Sequence, residues 1–442
     1  MNTRQTAEQL SKGTYDAVLS YLYGENALSA QKERYSNTIK EFEKQFGIDR
    51  EISLFSAPGR TEVCGNHTDH QHGRVLAAGV NLDVIGAASK NSDNVIRIQS
   101  KGYPLDTIDL NDLSIQDSEK NSAAALIRGI AARFQQLGYQ IGGFDAYTTS
   151  DVLKGSGLSS SAAFETLIGV MFNELFANGK VTPVEIAQIG QYAENEYFGK
   201  PCGLMDQTAS SVGGFVTIDF VSLHKPMVKK LSVDFEKYGH KLCIVDTGGN
   251  HADLTGDYAS VPEEMKTVAH EFGKQVLRQV DSQIFYQNIA KVRAACSDRA
   301  VLRAFHFFAD NERVLQEVRA LESGDFETFK NLVIESGRSS FMYLQNVYTC
   351  KNPDEQGLSL GLALSEQLLA GRGAWRVHGG GFAGTIQCFV PEDLLECYRN
   401  TMETVFGAGT CHILSIRPVG GVKVSPDFKQ KHGMDERMEQ NG

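Results

Sequence analysis

The order of strand-like and helix-like segments constrains the fold of this chain more than any other sequence feature. Apolar, β-prone runs occur at residues 51–60 and 74–90, at GGFVTIDF and KLCIVD, and near the end at GTIQCFV and HILSIRP. Segments with apolar residues three and four apart lie among them, and residues 281–339 are mostly of this helical kind. The two kinds do not alternate strictly. The order therefore predicts an α+β architecture of two domains, with a boundary in the range 215–240.

Local residues predict the number and the ends of the early strands. Pro58 and Gly59 are expected to stop the first run, because proline lacks the amide hydrogen that a strand donates. The run at 74–90 contains two apolar stretches, each of the length of one strand. We therefore expect a short first strand followed by two further strands.

Helix ends are marked by capping residues. The segment SAAALIRGIAARFQQLG has helical spacing, and Gly138 is expected to end it, because glycine tolerates the left-handed conformation found after helices. Thr182, Pro183 and Glu185 form a capping box with proline at the first helical position, and Gly199 lies at the far end of that helix. These signals predict two helices with defined ends.

The chain has 442 residues, which is more than a single hydrophobic core usually serves. At roughly 150 residues per unit, two or three packed units are expected. Residues 1–45 are interpreted as a polar, helical N-terminal extension without a chemical motif. The polar tail at 429–442 is expected to be mobile.

The charge balance excludes some classes of partner. Lys and Arg number 43 and Asp and Glu number 54, a net charge of −11, so nucleic acid and anionic membrane surfaces are not expected partners. No apolar run approaches the roughly 18 residues that a membrane span needs. The start of the chain lacks an apolar core that could serve as an export signal. The eight cysteines form no C-x-x-C pair and are interpreted as reduced thiols, which predicts a cytoplasmic protein.

The glycine- and serine-rich segment KGSGLSSSAA, residues 154–163, opens a helix expected to begin near Ser159. Glycines allow the backbone to approach a ligand closely, and the free amide groups of a helix start favour a bound anion such as phosphate. The alternative is a serine-rich helix cap after a flexible turn. The segment is neither a dinucleotide fingerprint nor a P-loop.

The segment APGRTEVCGNHTDH, residues 57–70, gathers a guanidinium, an amide, imidazoles and a carboxylate on an expected turn between strands. That density of hydrogen-bonding groups suits a polyhydroxylated ligand. A metal site at His67, Asp69, His70 and His72 is an alternative, which the lack of an H-E-x-x-H pattern and of a cysteine partner disfavours. A solvated polar turn is the other alternative.

Two further segments carry chemistry. In PCGLMDQ, residues 201–207, Asp206 lies among apolar and small residues, where partial desolvation could tune a carboxylate as a general base. A helix cap is the alternative for a lone aspartate. In RVHGGGFAG, residues 376–384, a glycine-rich turn leads into a strand.

Together these four segments resemble the GHMP small-molecule kinases and, among them, the galactokinases. APGR followed by HTDH looks like the galactokinase signature, GSGLSSSAA is similar to the phosphate loop, and PCGLMDQ is similar to the catalytic-aspartate motif. VHGGGFAG looks like the third glycine motif, and NHADLTGDY and YLQNVYTCKNPD agree as well. The resemblance extends from about residue 45 to residue 423.

The resemblance implies a two-domain GHMP kinase fold. Its N-terminal domain, expected at residues 46–225, is ribosomal protein S5 domain 2-like and holds the sugar and ATP sites. Its C-terminal domain, expected at residues 226–428, is ferredoxin-like. ATP and sugar are expected to meet in the cleft between the two domains.

The resemblance also implies ATP and Mg²⁺. Ser161 and Glu194 are the implied Mg²⁺ ligands, and a hydroxyl with one carboxylate suffices because the metal also binds phosphate oxygens. The residues implied to hold the ATP phosphates are Gly155, Ser156, Gly157, Leu158, Ser159, Ser160, Ser161, Ala162 and Ala163.

Catalysis is implied for two residues. Asp206 is expected to accept the proton of the sugar's anomeric hydroxyl, and Arg60 to lower the pKa of that hydroxyl and offset charge in the transition state. The residues implied to contact the sugar are Arg60, Asn66, His67, Asp69, Gly203, Asp206 and Tyr258. Asp69 is expected to bind the C3 and C4 hydroxyls.

One departure from the family pattern concerns the substrate. Galactokinases usually carry Glu before the HTD triplet, where it contacts the C6 hydroxyl, and this chain has Asn66. A Glu would repel a C6 carboxylate by roughly 4 kcal/mol at about 4 Å, and Asn66 removes that repulsion. Galactose and a C6-modified sugar such as galacturonate therefore both stay open as substrates.

A non-catalytic sensor of ATP and sugar is the competing class of function. The complete GLSSSAA segment and Asp206 favour the kinase. Sugar and ATP are the expected partners, and the chain is expected to be a monomer or a weak homodimer.

Overall fold

Two sheets and the helices around them make up the protein. The computed structural model describes residues 1–153, 157–223, 225–249 and 254–428. The strands are β1 Ser53–Cys64, β2 Arg74–Lys90, β3 Val95–Ser100, β4 Leu105–Asp109, β5 Phe144–Ser150, β6 Phe215–Asp219, β7 Met227–Leu231, β8 His240–Asp246, β9 Ala374–Val377, β10 Thr385–Pro391, β11 Cys411–Leu414 and β12 Val422–Val424.

The helices are distributed over the whole chain. They are α1 Thr3–Ser11, α2 Asp16–Tyr23, α3 Leu28–Phe46, α4 Ala123–Gln136, α5 Ser160–Phe176, α6 Pro183–Tyr192, α7 Met205–Val212, α8 Thr255–His270, α9 Ser282–Gln287, α10 Ile289–Ala295, α11 Asp298–Ser323, α12 Phe326–Ser339, α13 Gly357–Leu369 and α14 Leu395–Phe406. Two π-helical turns, Ala193–Phe198 and Ser340–Leu344, follow α6 and α12. The predicted α+β class is confirmed.

The first sheet is built around β2. Its order is β12-β1-β2-β5-β3-β4, and β6 and β7 extend it from β2. The expectation of two strands at 74–90 is wrong, because the run is a single strand. One edge of β2 pairs with β1, while on the other edge the first half pairs with β6 and the second half with β5. The first apolar stretch of β2 thus pairs with β6, and the second pairs with β5.

The expectation that Pro58 and Gly59 stop the first strand is also wrong. β1 continues through them with a register shift between Pro58 and Arg60. The Pro58 carbonyl accepts a hydrogen bond from the Ser210 hydroxyl (2.7 Å), and the Arg60 amide donates to the Leu158 carbonyl (3.0 Å). A Cβ on Gly59 would lie 2.9 Å from that carbonyl oxygen. The bulge therefore lets the glycine- and serine-rich segment approach β1 closely.

The N-terminal helices cover one face of the first sheet. Successive residues of a strand point to opposite faces, and Leu54 and Ile85 pack with α1–α3 while Phe55 and Val84 pack with α4 and α5. Residues 1–45 therefore form helices, as predicted, and these helices supply a complete layer of the fold.

The second sheet has the order β11-β8-β10-β9, with antiparallel pairs throughout. Leu242 and Ile244 belong to the same core as the first sheet, whereas Cys243 and Val245 pack with α13 and α14. One apolar core thus connects the two sheets. The division into domains between residues 225 and 226 stays a prediction.

The helix-end signals agree with the structure. Thr182 and Glu185 form the capping box of α6, Gly199 follows the π-helical turn, and Gly138 has φ +84° just after α4. In the part of the chain that the structure describes, no helix has the length and apolar character needed to cross a bilayer.

Candidate active site

Arg60 and Asp206 meet at the start of α5. Arg60 lies on β1 and Asp206 in the first turn of α7. The Arg60 Nε donates to Asp206 Oδ1 at 2.7 Å, and Arg60 Nη2 lies 2.6 Å from the same oxygen. Arg60 Nη1 donates to the Gly157 carbonyl, and the Ser159 hydroxyl donates to Asp206 Oδ2. Two distant parts of the chain therefore form one charged pair beside the glycine- and serine-rich segment.

The environment of Asp206 favours its ionised form. Burial alone would raise the pKa of Asp206, but the Arg60 guanidinium and the Ser159 hydroxyl outweigh burial and hold the pKa below its usual value. The Asp206 side chain is still 32% exposed. It is therefore a carboxylate at neutral pH that a ligand can reach.

The start of α5 has an unusual backbone. Gly157 has φ +72° and Ser159 has φ +53°, the left-handed region that a serine seldom adopts. Strain of this kind is common at ligand sites. Ser160 and Ser161 are partly exposed in the first turn of α5, where amide groups favour an anion.

The other residues of the implied phosphate loop divide into two groups. The side chains of Leu158, Ala162 and Ala163 are buried and pack in the core. Gly155 and Ser156 lie outside the described residues.

A buried group of carboxylates lies next to Asp206 along α7. The Gln207 amide nitrogen donates to Glu194 Oε2 at 2.8 Å and to Glu165 Oε2 at 2.9 Å. Burial and the Glu194 carboxylate raise the pKa of Glu165 well above its usual value. Lys200 Nζ lies 3.3 Å from Glu194 Oε1. The group thus combines the Glu165 and Glu194 side chains with the Lys200 cation.

This group fits a hard cation. Glu165 Oε1 and Gln207 Oε1 are buried without a hydrogen-bond partner within the described residues. Ser161 precedes Glu165 by one helical turn and so lies on the same face of α5. Oxygen donors of this type suit Mg²⁺. Glu165 was not predicted from the sequence, although its position four residues after Ser161 places it on the same helix face.

The turn between β1 and β2 carries His67 and Asp69. His67 Nε2 lies 3.0 Å from the Gly380 carbonyl oxygen. Burial and, to a smaller extent, the neighbouring His70 lower the pKa of His67 to about 4. Asp69 Oδ2 lies next to Gly203, three residues before Asp206. The turn therefore approaches the Arg60 pair from the side of Gly203.

Tyr258 lies on the other side of the glycine-rich turn at 378–384. Its hydroxyl donates to the Gly381 carbonyl at 2.9 Å, and a Cβ on Gly380 would lie 2.6 Å from the Tyr258 ring. Gly380 and Gly381 therefore connect Tyr258 to His67.

Within residues 1–153, 157–223, 225–249 and 254–428 no group of three or more His, Cys, Asp or Glu is arranged to hold a metal, the histidine-rich turn included.

Asn66 is turned toward protein groups. Its side chain is 1% exposed and donates to Glu62 Oε1 (2.8 Å) and the Gly379 carbonyl (2.7 Å), while its oxygen accepts from Asn346 Nδ2 (2.7 Å). Both amide hydrogens are therefore occupied. Direct contact between Asn66 and substrate stays a prediction. Glu62 and Asn346, which hold this amide, were not anticipated from the sequence.

Comparison with known families gives two matches. A model described as the GHMP kinases N terminal domain matches residues 125–214. A second, described as the galactokinase galactose-binding signature, matches residues 40–90. The matched ranges include Ser159, Asp206, Arg60 and Asp69.

Curated relatives match most of the chain. Galactokinase of Glaesserella parasuis serovar 5 is 32% identical over 369 residues, which cover 81% of this chain and 90% of the relative. Galactokinase of Streptomyces coelicolor is 28% identical over 379 residues, covering 85% of this chain and 94% of the relative.

Solved structures show the same fold. Lactococcus lactis galactokinase complexed with galactose superposes with a TM-score of 0.74 at 24% identity, covering 88% of this chain and 99% of the other. Methanococcus jannaschii mevalonate kinase has a TM-score of 0.60 at 14% identity, covering 83% and 98%.

Proposed function

Because the chain belongs to the galactokinase family of the GHMP kinases and is a sugar kinase, we propose that it transfers the γ-phosphoryl group of ATP to the anomeric hydroxyl of galactose. The observation that carries this proposal is the Arg60–Asp206 pair at the start of α5, with Nε and Oδ1 at 2.7 Å. A positively charged donor and an ionised carboxylate are what an attacking hydroxyl requires.

In the proposed reaction Asp206 accepts the proton of the anomeric hydroxyl. The oxygen forms a bond to the γ-phosphorus while the bond to the bridging oxygen of ATP breaks, and ADP leaves with that electron pair. Asp206 is in the protonation state that this role requires, because its pKa lies below the usual value and the carboxylate is therefore ionised at neutral pH.

Arg60 has two proposed tasks. Its guanidinium orients Asp206 through Nε and Nη2. Its positive charge also offsets the negative charge that develops on the attacking oxygen. A lysine at position 60 could not donate in the same planar arrangement to Asp206 while also donating to the Gly157 carbonyl.

We propose that ATP phosphates bind at the start of α5 and that Ser161 and Glu194 hold Mg²⁺. A bound Mg²⁺ would neutralise charge on the phosphate oxygens. Glu165 and Gln207 support this assignment: Gln207 Nε2 donates to both Glu165 and Glu194, and Glu165 Oε1 and Gln207 Oε1 have no hydrogen-bond partner among the described residues. Gln207 would hold the Glu194 carboxylate in place.

The sugar is proposed to contact His67, Asp69, Gly203 and Tyr258. Galactose is preferred to galacturonate because a C6 carboxylate needs hydrogen-bond donors, and both amide hydrogens of Asn66 are occupied by Glu62 and Gly379. Glu62, which accepts a hydrogen bond from Asn66, is itself acidic and would not attract the C6 carboxylate of galacturonate.

An ADP-coupled assay over a panel of aldoses, uronates and amino sugars tests the proposal. We expect galactose to be turned over at least about tenfold more efficiently than galacturonate, with the phosphate located at C1 by ³¹P and ¹³C NMR. No activity on any sugar, together with calorimetric binding of ATP and sugar, would point to a sensor instead. A cytoplasmic location and a monomeric or weakly dimeric state belong to the proposal.

A further inference from the structure

The turn between β1 and β2 has a conformation that needs external support. Gly65 has φ +90°, and His67 and His72 have φ +57° and +58°. Left-handed backbone at non-glycine residues is unfavourable unless the surroundings impose it. Since the turn carries His67 and Asp69, whatever imposes its shape also decides where these two side chains lie.

Asp310, on α11, binds the first part of this turn. Its Oδ2 accepts from the amide of Gly65 at 3.1 Å and from the amide of Asn66 at 3.0 Å. Asp310 is completely buried, and Arg313 and Ser336 bind its carboxylate in turn. A carboxylate that accepts two successive backbone amides fixes the orientation of both peptide groups.

His306 lies one turn before Asp310 on the same face of α11. Its Nε2 lies 2.9 Å from the Asn66 carbonyl oxygen, and its Nδ1 lies 2.9 Å from the Ser339 hydroxyl. Burial lowers the pKa of His306, so the neutral ring donates from Nε2 to the carbonyl and accepts at Nδ1 from Ser339. The imidazole and the carboxylate thus hold both polar groups of the Asn66 backbone.

The far end of the turn also rests on α11. The Asn311 side-chain oxygen accepts from the amide of Arg74 at 2.9 Å. A Cβ on Gly73 would lie 3.0 Å from the Phe307 ring. One helix therefore holds the turn at both ends.

We propose that Asp310 and His306 are positioning residues for sugar binding: they hold the 65–73 turn so that His67 and Asp69 face the substrate. This inference rests on the proposed function. Loss of either contact is expected to raise KM for the sugar by about 10- to 100-fold, because small misplacements of binding groups are costly. KM for ATP is expected to stay within about twofold, since phosphate binding is assigned to the start of α5.

Four variants test the proposal on the full chain. His306→Leu removes the Nε2 donor, and His306→Gln restores an amide donor that can reach the same carbonyl. Asp310→Asn removes the charge from the acceptor of the two amides. Ser339→Ala removes only the hydroxyl that fixes the imidazole tautomer, so it remains informative if the larger changes prevent folding. The control is Val314→Ala, a core truncation on α11.

Sugar KM, ATP KM and kcat with galactose are the readouts, with thermal melting as the check on folding. We expect sugar KM to rise in His306→Leu, Asp310→Asn and, less, Ser339→Ala, and to recover in His306→Gln. Sugar KM within twofold of wild type in all of them, or an equal rise in Val314→Ala, would overturn the positioning role. If the wild-type protein phosphorylates no sugar, the proposed function is contradicted. That result can be distinguished from failure of the positioning role, in which the wild type is active and the variants keep its sugar KM.

Discussion

The Asp69 carboxylate lies so close to Gly203 that a Cβ at position 203 would be 2.7 Å from Asp69 Oδ2. Non-bonded carbon and oxygen atoms do not approach to that distance, so a side chain at 203 must displace the carboxylate. This close approach connects the segment that contains Asp206 to the turn that contains His67.

Gly203→Ala is therefore expected to move Asp69 and raise KM for galactose by at least about tenfold, with a smaller effect on KM for ATP. Steady-state kinetics with each substrate varied in turn measures both constants. Gly256→Ala is the control, because the nearest atom to a Cβ there is the flexible end of Lys351 at 3.5 Å. Equal sugar KM in the two variants would contradict the assignment of Asp69 to the sugar.

Asp206→Asn is expected to lower kcat by about 10²- to 10⁴-fold while ATP and galactose still bind, because the amide keeps the shape of the side chain and cannot accept the proton. Calorimetric titration measures binding, and the coupled assay measures turnover. Asp117→Asn is the control, because the Asp117 carboxylate lies between β4 and α4, is exposed and pairs with Lys120. Undiminished product formation by Asp206→Asn would refute the catalytic role.

The buried Glu317 side chain is expected to make the free energy of unfolding depend on pH. It is completely buried on α11, and burial raises its pKa to about 8 from an ordinary 4.5. Between these values the folded state holds a proton that the unfolded state has lost. Stability from this group is therefore full below pH 4.5 and is lost as pH rises toward 8, by at most about 1.4 kcal/mol per pH unit.

Glu317→Gln mimics the protonated acid, so its free energy of unfolding relative to wild type is expected to grow between pH 5 and pH 8. Urea denaturation at several pH values measures this difference. Glu312→Gln, on the exposed side of the same helix, should show a constant difference. A pH-independent offset for Glu317→Gln would show that the group does not titrate in this range.

Asp83 connects the N-terminal helices to the first sheet. Its carboxylate pairs with Arg34 of α3 at 2.6 Å and with Arg417 at 2.8 Å, and Asp83 and Arg417 are completely buried. Asp83→Asn removes the negative charge that the buried Arg417 and Arg34 share, although Arg34 keeps its ion pair with Asp151. We expect a loss of about 3–5 kcal/mol in the free energy of unfolding.

Urea denaturation measures this loss. Lys12→Met is the control, because its ion pair with Glu8 is exposed and such pairs contribute at most about 1 kcal/mol. Similar losses in both variants would mean that the buried ion pairs of Asp83 contribute no more to stability than an exposed ion pair.

The elements that could be predicted from the amino-acid sequence are those whose signals are local. The capping box at Thr182, the stop at Gly138 and the start of α5 near Ser159 depend on residues within a few positions of each other. Backbone preference and side-chain capping act over that range, so these elements could be predicted. The four motifs were likewise visible as continuous strings.

The contacts between distant segments could not be predicted in this way, because they form only when the whole chain folds. Pro58 continues a strand because Ser210 and Leu158 supply hydrogen bonds from elsewhere in the chain. The Asn66 amide is occupied because Glu62 and Asn346 reach it. Such contacts depend on how sheets and helices pack, which no local preference encodes. The polar partners of a buried group are therefore set by the fold as a whole.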